Sequence, residues 1–227
     1  MSPAGAFPTD PAQARSIQET LARQVRLEAL TGTVASVAGV DAAFTADRVV
    51  AVAVRLDYPD LTVQEESAVA RPLVLPYVPG LLSFREGPAV LAALAGLART
   101  PDLILCDGQG IAHPRRLGIA AHMGVLLDRP AIGVAKSRLT GEANGEALGE
   151  TAGSRVPLID AGELIGAVVR TRTRVRPIYV SAGHRITTDE AVAWTLACGR
   201  GYRLPEPTRL ADKAADRYKR KPEELQG

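Results

Sequence analysis

The sequence predicts an α/β protein built on one mixed sheet, an antiparallel meander followed by parallel strands, with helices on its flanks. Three observations lead there. Valine-rich stretches at 34–40, 48–56 and 62–75 are joined by links too short for a crossover, so these strands run antiparallel. From residue 88 the apolar period becomes helical, and helical segments then alternate with short apolar runs at 103–106 and 131–134; that alternation calls for parallel strands. The 227 residues, 46% of them hydrophobic, suffice for a single well-cored domain, and no repeat or low-complexity linker divides them.

The elements follow in order. Residues 1–9 are small and carry Pro and Gly, so they are expected to form a frayed peripheral tail. Asp10-Pro11 has the form of an N-cap with proline at the first helical position, and a helix is expected to about Leu30. Ala14, Ile17, Leu21 and Val25 give it one buried stripe, a packing helix rather than a chemical one. After the three strands comes a helix over Pro88–Ala98, the strand at 103–106, a helix at 117–127 and the strand at 131–134. Further strands are expected near 155–159, 163–169 and 177–181. Thr187 or Thr188, followed by Asp189-Glu190, starts a last core helix through about Cys198. From about 211 to 227, Lys213, Arg217, Lys219, Arg220 and Lys221 nearly balance Asp212, Asp216, Glu223 and Glu224, and a solvated peripheral helix is the expectation.

Bulk properties exclude several classes. With a formal charge of +2 and a pI near 8.7, a nucleic-acid partner would have to be held by local basic patches and not by the overall field. Cys106 and Cys198 lie far apart in apolar stretches without zinc or redox spacing, so they read as reduced core residues. There is neither a basic segment leading into a long apolar stretch at the N-terminus nor a run fit to span a bilayer. A cytoplasmic protein without a membrane partner is expected.

Chemistry concentrates where apolar runs break. Asp41 follows Val34–Val40, Asp107 follows Leu103–Cys106, and Glu86 stands just before Gly87-Pro88 and a helical pattern. Carboxylates at the ends of buried strands can converge on a divalent ion, although an Asp after an apolar run is, taken alone, more often a turn former or helix cap. Two segments are denser in special residues than a scaffold needs. Pro76-Tyr77-Val78-Pro79-Gly80-Leu81-Leu82-Ser83-Phe84-Arg85-Glu86 stiffens an exposed loop between two prolines and holds up a tyrosine, which either wedges against nucleic-acid bases or folds back on the core. In Asp107-Gly108-Gln109-Gly110-Ile111-Ala112-His113-Pro114-Arg115-Arg116, the glycines allow a close backbone approach to a ligand. His113 offers proton transfer or water orientation, and the arginines offer phosphate contacts. Lys136, after the strand Ala131–Val134, could balance carboxylates or a scissile phosphate. His184 follows the strand containing Ile178–Val180. The alternating arginines of 170–176 form, if extended, either a phosphate stripe or a solubilised hairpin edge.

Taken together these segments closely resemble the endonuclease V family, inosine-directed nucleases with a ribonuclease H-like fold. The resemblance rests on Val37–Asp41, Pro76–Pro88, Asp102–Gly118, Gly133–Lys136 and Tyr179–Ile186, of which the second and third are highly specific. It implies that Asp41 and Asp107 are Mg2+ ligands, with Mn2+ a plausible substitute, and that Glu86 completes the site directly or through water. It implies supporting active-site roles for His113, Lys136 and His184. Tyr77 matches the wedge that fills the gap left by the extruded nucleotide; Gly80, Leu82, Gly108, Ile119 and Leu139 match the lining of the base pocket, and Arg85 joins the substrate-binding set. The wedge reads Pro-Tyr-Val-Pro where the family commonly has Pro-Tyr-Ile-Pro, a methylene of little consequence beside the ring.

The function so implied is Mg2+-dependent repair cleavage of DNA containing deoxyinosine, at the second phosphodiester bond 3′ to the lesion, leaving 3′-hydroxyl and 5′-phosphate ends, by a monomer. Inosine-containing RNA is the alternative substrate. Another ribonuclease H-like nuclease would keep the acids without the Tyr77 wedge, and a non-catalytic binding module would not need the acids.

Overall fold

The computed structural model describes residues 7–225. Helix α1 (Pro11–Ala22) begins as expected, with the Asp10 carboxylate accepting from Gln13 N at 2.8 Å and proline at its first position. It ends eight residues before the expected Leu30. Beyond it, Arg26 N donates to His184 Nδ1 at 3.2 Å, Arg26 O accepts from Arg185 N at 2.7 Å, and Leu30 N donates to the Glu190 carboxylate at 3.1 Å. These distant partners satisfy the backbone outside a helix, so tertiary structure overrides local propensity.

The valine-rich stretches become β1 (Ser36–Phe44), β2 (Arg48–Asp57) and β3 (Val63–Pro72), an antiparallel meander. Helix α2 (Leu82–Ala95) leads into β4 (Leu103–Asp107), which pairs parallel with β1. Helix α3 (Ile119–Leu127) then leads into β5 (Ala131–Ala135), parallel to β4. Strands β6 (Arg155–Asp160), β7 (Glu163–Val169) and β8 (Ile178–His184) form a second antiparallel meander that joins through β8, antiparallel to β5. The eight strands lie in the order β3-β2-β1-β4-β5-β8-β7-β6.

Alternation along the strands sends successive side chains to opposite faces. On one face Val37, Leu105, Val134 and Ala182 pack with Ala191 of α4 (Thr188–Ala197) and with Ala211, Ala214 and Ala215 of α5 (Glu206–Arg220). On the other, Ala38, Val40, Ile104 and Cys106 pack with Ala89, Val90 and Ala93 of α2 and Ala120 and Met123 of α3. Cys106 and Cys198 are both buried and unpaired. The expected capping box of α4 is present, Thr187 Oγ1 accepting from Glu190 N at 3.2 Å while Glu190 Oε2 accepts from Thr187 N at 3.0 Å.

Four expectations are corrected. α2 starts at Leu82, not at Pro88, and carries Pro88 inside it; burial of Leu81 and Phe84 against Ala14 and Leu75 outweighs the lost hydrogen bond. The frayed tail is anchored at residue 7, whose ring lies 6.4 Å from Phe84 and 5.0 Å from His122 between centroids, whereas residues 1–6 lie outside the described ones. The segment from 211 is no peripheral tail, because α5 lays its alanine stripe on the sheet. Residues 170–176 form a turn, not an extended stripe. Arg170 Nε donates to Gly149 O at 2.7 Å and Arg174 pairs with Glu150. Among the described residues no helix is long and apolar enough to cross a membrane.

Candidate active site

Register brings the two aspartates together. Val40↔Cys106 is the last pair of the parallel β1/β4 ladder, so Asp41 and Asp107 stand side by side one step beyond it. β1 itself continues to Phe44, where β2 alone holds it, with Asp41 opposite Val52. Asp41 is thus inside a strand and not at its end as expected. Both side chains share the face of Val37 and Leu105, the face covered by α5. Gly39 lets that helix approach: a Cβ there would stand 2.0 Å from Pro207 O. Little more than a turn further along α5, Asp212 faces the pair. One carboxylate oxygen from each of Asp41, Asp107 and Asp212 lies within 4.8 Å of the others.

Glu86 reaches the same cavity from α2, on the opposite side of the sheet, and is buried. Because α2 starts early, this carboxylate is held within a helix and not at its entrance. Lys136 follows β5, and its Nζ lies 2.5 Å from Asp107 Oδ2 and 2.5 Å from Asp212 Oδ1.

The electrostatics are those of a cation site. Burial and then the neighbouring Asp107 charge raise the pKa of Asp41 to about 8. Burial, Asp41 and Asp107 hold Glu86 well above the usual carboxylate range. Asp107 is also raised by burial, with Lys136 pulling against it. Burial would lower the Lys136 ammonium, but the bonds to Asp107 and Asp212 overcome it and raise its pKa. One lysine thus faces several crowded carboxylates. An all-oxygen donor set with surplus negative charge fits a hard divalent cation.

A cavity of about 630 Å3 adjoins the acids, lined among others by Tyr77, Gly80, Leu82, Gly108, Ile119 and Leu139. Its size falls in the ligand-site range of roughly 300–1,000 Å3 and accommodates a nucleotide. Tyr77 stands at its rim, 69% exposed, on the solvent side rather than folded onto the core. Arg85 does not line the cavity; its guanidinium lies 4.4 Å from the Phe44 ring centroid and 5.9 Å from that of Tyr77, which props the tyrosine from behind.

The two histidines part company. His113 lines the cavity, but both ring nitrogens are engaged: Nε2 donates to Gly80 O at 3.0 Å and Nδ1 accepts from Arg115 N at 3.1 Å. Burial lowers its pKa to about 4, with Arg115 and Arg116 adding to the effect against the Gly80 bond. It is a neutral pin, and the expected proton-transfer or water-orienting role does not fit. His184 is not at the site. β8 runs antiparallel to β5, pairing His184 with Ala131 at the start of β5, while Lys136 follows its end. His184 Nε2 donates to Asp128 Oδ1 at 3.2 Å and Nδ1 accepts from Arg26 N, so the ring fastens the chain at Arg26 to the opposite end of the strands. A strand's C-terminal end was the sequence criterion, and strand direction defeats it.

Asp212 is the residue that sequence reasoning missed. The signals were Pro205 and Pro207 at a helix start and the spacing of Ala211, Ala214 and Ala215. An alanine stripe is too weakly apolar to stand out against balanced charges.

Carboxylates clustered at two central parallel strands of a mixed sheet, beside a nucleotide-sized cavity, fit the class of ribonuclease H-like nucleases. The chain belongs to the endonuclease V family, whose model matches residues 19–213. Endonuclease V of Nostoc punctiforme is 55% identical over 213 residues, covering 92% of this chain and 95% of that one. The crystal structure of endonuclease V from Streptomyces avermitilis superposes with a TM-score of 0.90 at 44% identity, covering 97% of each chain. Ciona intestinalis endonuclease V, in complex with a 24-mer DNA containing an inosine followed by a ribo-adenosine, gives a TM-score of 0.81 at 28% identity, covering 92% of this chain and 98% of that one.

Proposed function

We propose that this chain repairs DNA by cutting it at deoxyinosine, hydrolysing the second phosphodiester bond 3′ to the lesion with Mg2+ and leaving 3′-hydroxyl and 5′-phosphate ends. The observation that carries this reading is the adjacency of three parts within one chain: an exposed tyrosine, a base-sized recess beneath it and a carboxylate cluster at the recess's edge. The inosine in the DNA bound by the Ciona relative supports the choice of lesion. Since every part comes from one chain, a monomer suffices.

In this reading Tyr77, propped by Arg85, enters the duplex where the damaged nucleotide leaves it. Leu82, Ile119 and Leu139 wall the extruded base apolarly, and Gly80 and Gly108 bring backbone groups close to its edge. The Gly108 backbone, at φ +145°, is a conformation that side chains rarely adopt. Asp41, Asp107 and Asp212 would hold the cation, with Glu86, which lines the same cavity, completing the set directly or through water. When bound, Mg2+, or Mn2+ in its place, would supply Lewis-acid chemistry for phosphodiester hydrolysis. Lys136 leans on Asp107 and Asp212 and presents its ammonium to the phosphate oxygens, where negative charge grows in the transition state. His113, neutral and pinned, keeps the Gly80 carbonyl in place.

Inosine-containing RNA is a second reading, favoured by the ribo-adenosine that follows inosine in the Ciona complex. The test is a gel assay on matched strands carrying deoxyinosine, inosine or adenine, with Mg2+ and with EDTA. Mg2+-dependent cutting of the deoxyinosine strand, one nucleotide beyond the adjacent 3′ bond, is expected. Folded protein that leaves every strand intact would refute the nuclease reading, and preference for the ribo strand would select the second.

A further inference from the structure

Helix α1 touches both sides of the cavity. Ala14 packs with Leu75, Leu81 and Phe84 at the foot of the tyrosine loop. Leu21 packs with Leu117 and Ala121 at the start of α3, and Ile17 borders both groups. Between them lies Gln18, 0% exposed. A buried primary amide is costly unless its hydrogen bonds are met, and here they are. Gln18 Nε2 donates to Gly80 O at 3.1 Å and to Leu117 O at 2.8 Å, while Oε1 accepts from Arg115 Nε.

The two carbonyls belong to opposite walls. Gly80 closes the tyrosine loop at φ +79°, and Leu117 directly precedes the Gly118–Ile119 wall. The Gly80 carbonyl also receives Arg115 Nη2 at 3.1 Å and His113 Nε2 at 3.0 Å. An apolar side chain would have filled this position without the desolvation cost of an amide. What the amide adds is a fixed separation between two loops that share no secondary structure.

We infer that Gln18 is a positioning residue which sets the gap between the Tyr77 loop and the base pocket, and thereby the selectivity for an extruded base. The inference rests on the function proposed above. Gln18 touches neither substrate nor the acid cluster, so its loss loosens recognition and leaves the hydrolytic step alone.

The experiment compares the whole chain with Gln18→Leu. Anisotropy in EDTA gives affinity for a deoxyinosine duplex and for the undamaged duplex, single-turnover cleavage in Mg2+ at saturating enzyme gives the rate, and a thermal melt certifies folding. Losing both donated bonds should weaken deoxyinosine binding by about tenfold, with undamaged-duplex binding unmoved and the saturating rate within about twofold. A purely structural glutamine would lower the melt without this split. Gln18→Glu retains the Arg115 partner but loses both donors, so it should reproduce the selectivity loss, and it replaces Gln18→Leu should that variant not fold. Unchanged selectivity in a folded variant, or rate and affinity falling together, overturns the assignment. Wild-type protein that binds both duplexes equally would instead defeat the proposed function.

Discussion

Gly39→Ala tests whether the approach of α5 to β1 builds the acid cluster. The added Cβ would lie 2.0 Å from Pro207 O, 2.1 Å from Pro207 C and 2.7 Å from Thr208 N, all backbone atoms that cannot rotate aside. Ordinary contact between heavy atoms begins near 3.5 Å, so the first turn of α5 must retreat by about 1.5 Å. Overpacking of this kind costs about 1–3 kcal/mol, against roughly 0.5–1 kcal/mol gained by replacing glycine in a strand. At about 2–4 °C per kcal/mol for a chain of this size, the melt should fall by about 5 °C. Asp212 rides on the same helix, and a ligand shift of this size far exceeds the roughly 0.2 Å tolerance of a metal–oxygen bond. On the function proposed above, millimolar Mg2+ should raise the Tm of the parent, and that rise should shrink in the variant. Differential scanning calorimetry with Mg2+ and with EDTA reads both effects. A variant that melts within about 1 °C of the parent and keeps the full Mg2+-induced rise refutes the reasoning.

Asp41→Ala and Asp107→Ala should abolish cutting while deoxyinosine binding survives, because wedge and recess remain; equal loss of binding by anisotropy would contradict that division of roles. Tyr77→Ala should weaken lesion binding by about tenfold, from the roughly 1–3 kcal/mol of a base–aromatic stack, and slow the saturated rate far less; a lower single-turnover rate at unchanged affinity would reverse the assignment. His113 is held at about 4 and His122, by burial alone, at about 3. At these two rings the unfolded chain takes up protons first as pH falls below about 6.5, so the stability they contribute is complete above that pH and is lost on acidification, while the raised Asp41 acts in the opposite sense. The His113 share is ~2 kcal/mol at pH 5, so the change in stability between pH 7 and 5, read from urea midpoints, should differ between His113→Gln and wild type by about that amount, and an unaltered difference would exclude the ring. His184→Ala should cost about 1–3 kcal/mol of stability through unmet buried hydrogen bonds and leave kcat at wild-type level; a collapse of kcat in folded protein would return it to the site.

All eight strands were legible because each reports on itself: valine runs with short links, then apolar runs separated by helical periods, then the runs near 155–159, 163–169 and 177–181. Asp41, Asp107, Tyr77 and the pocket glycines were legible because they sit inside dense local motifs. What escaped was decided by partners distant in sequence. Arg26 to Leu30 leave the helix for His184 and Glu190, which no local pattern announces. Pro88 reads as a helix start yet lies within α2, since burial of Leu81 and Phe84 is worth more than one hydrogen bond. His184 carries the signature of a strand end, but that end faces away from Asp107 once β8 runs antiparallel to β5. Asp212 looked like one charge in a balanced run, and only the close seat of α5 on Gly39 gives it neighbours.

The carboxylate cluster draws on β1 near the beginning of the chain and on α5 near its end, with Glu86 entering through the sheet's other side. A ribosome releases Asp41 and Asp107 long before Asp212. Until the last helix has been made and docked, the nascent chain can present its wedge loop but not its full set of acids. On the function proposed above, copies made or clipped short of α5 would lack Asp212 and with it one of the three converging carboxylates. A cation that recognised only the closed cluster would then stabilise the docked chain and no fragment without α5.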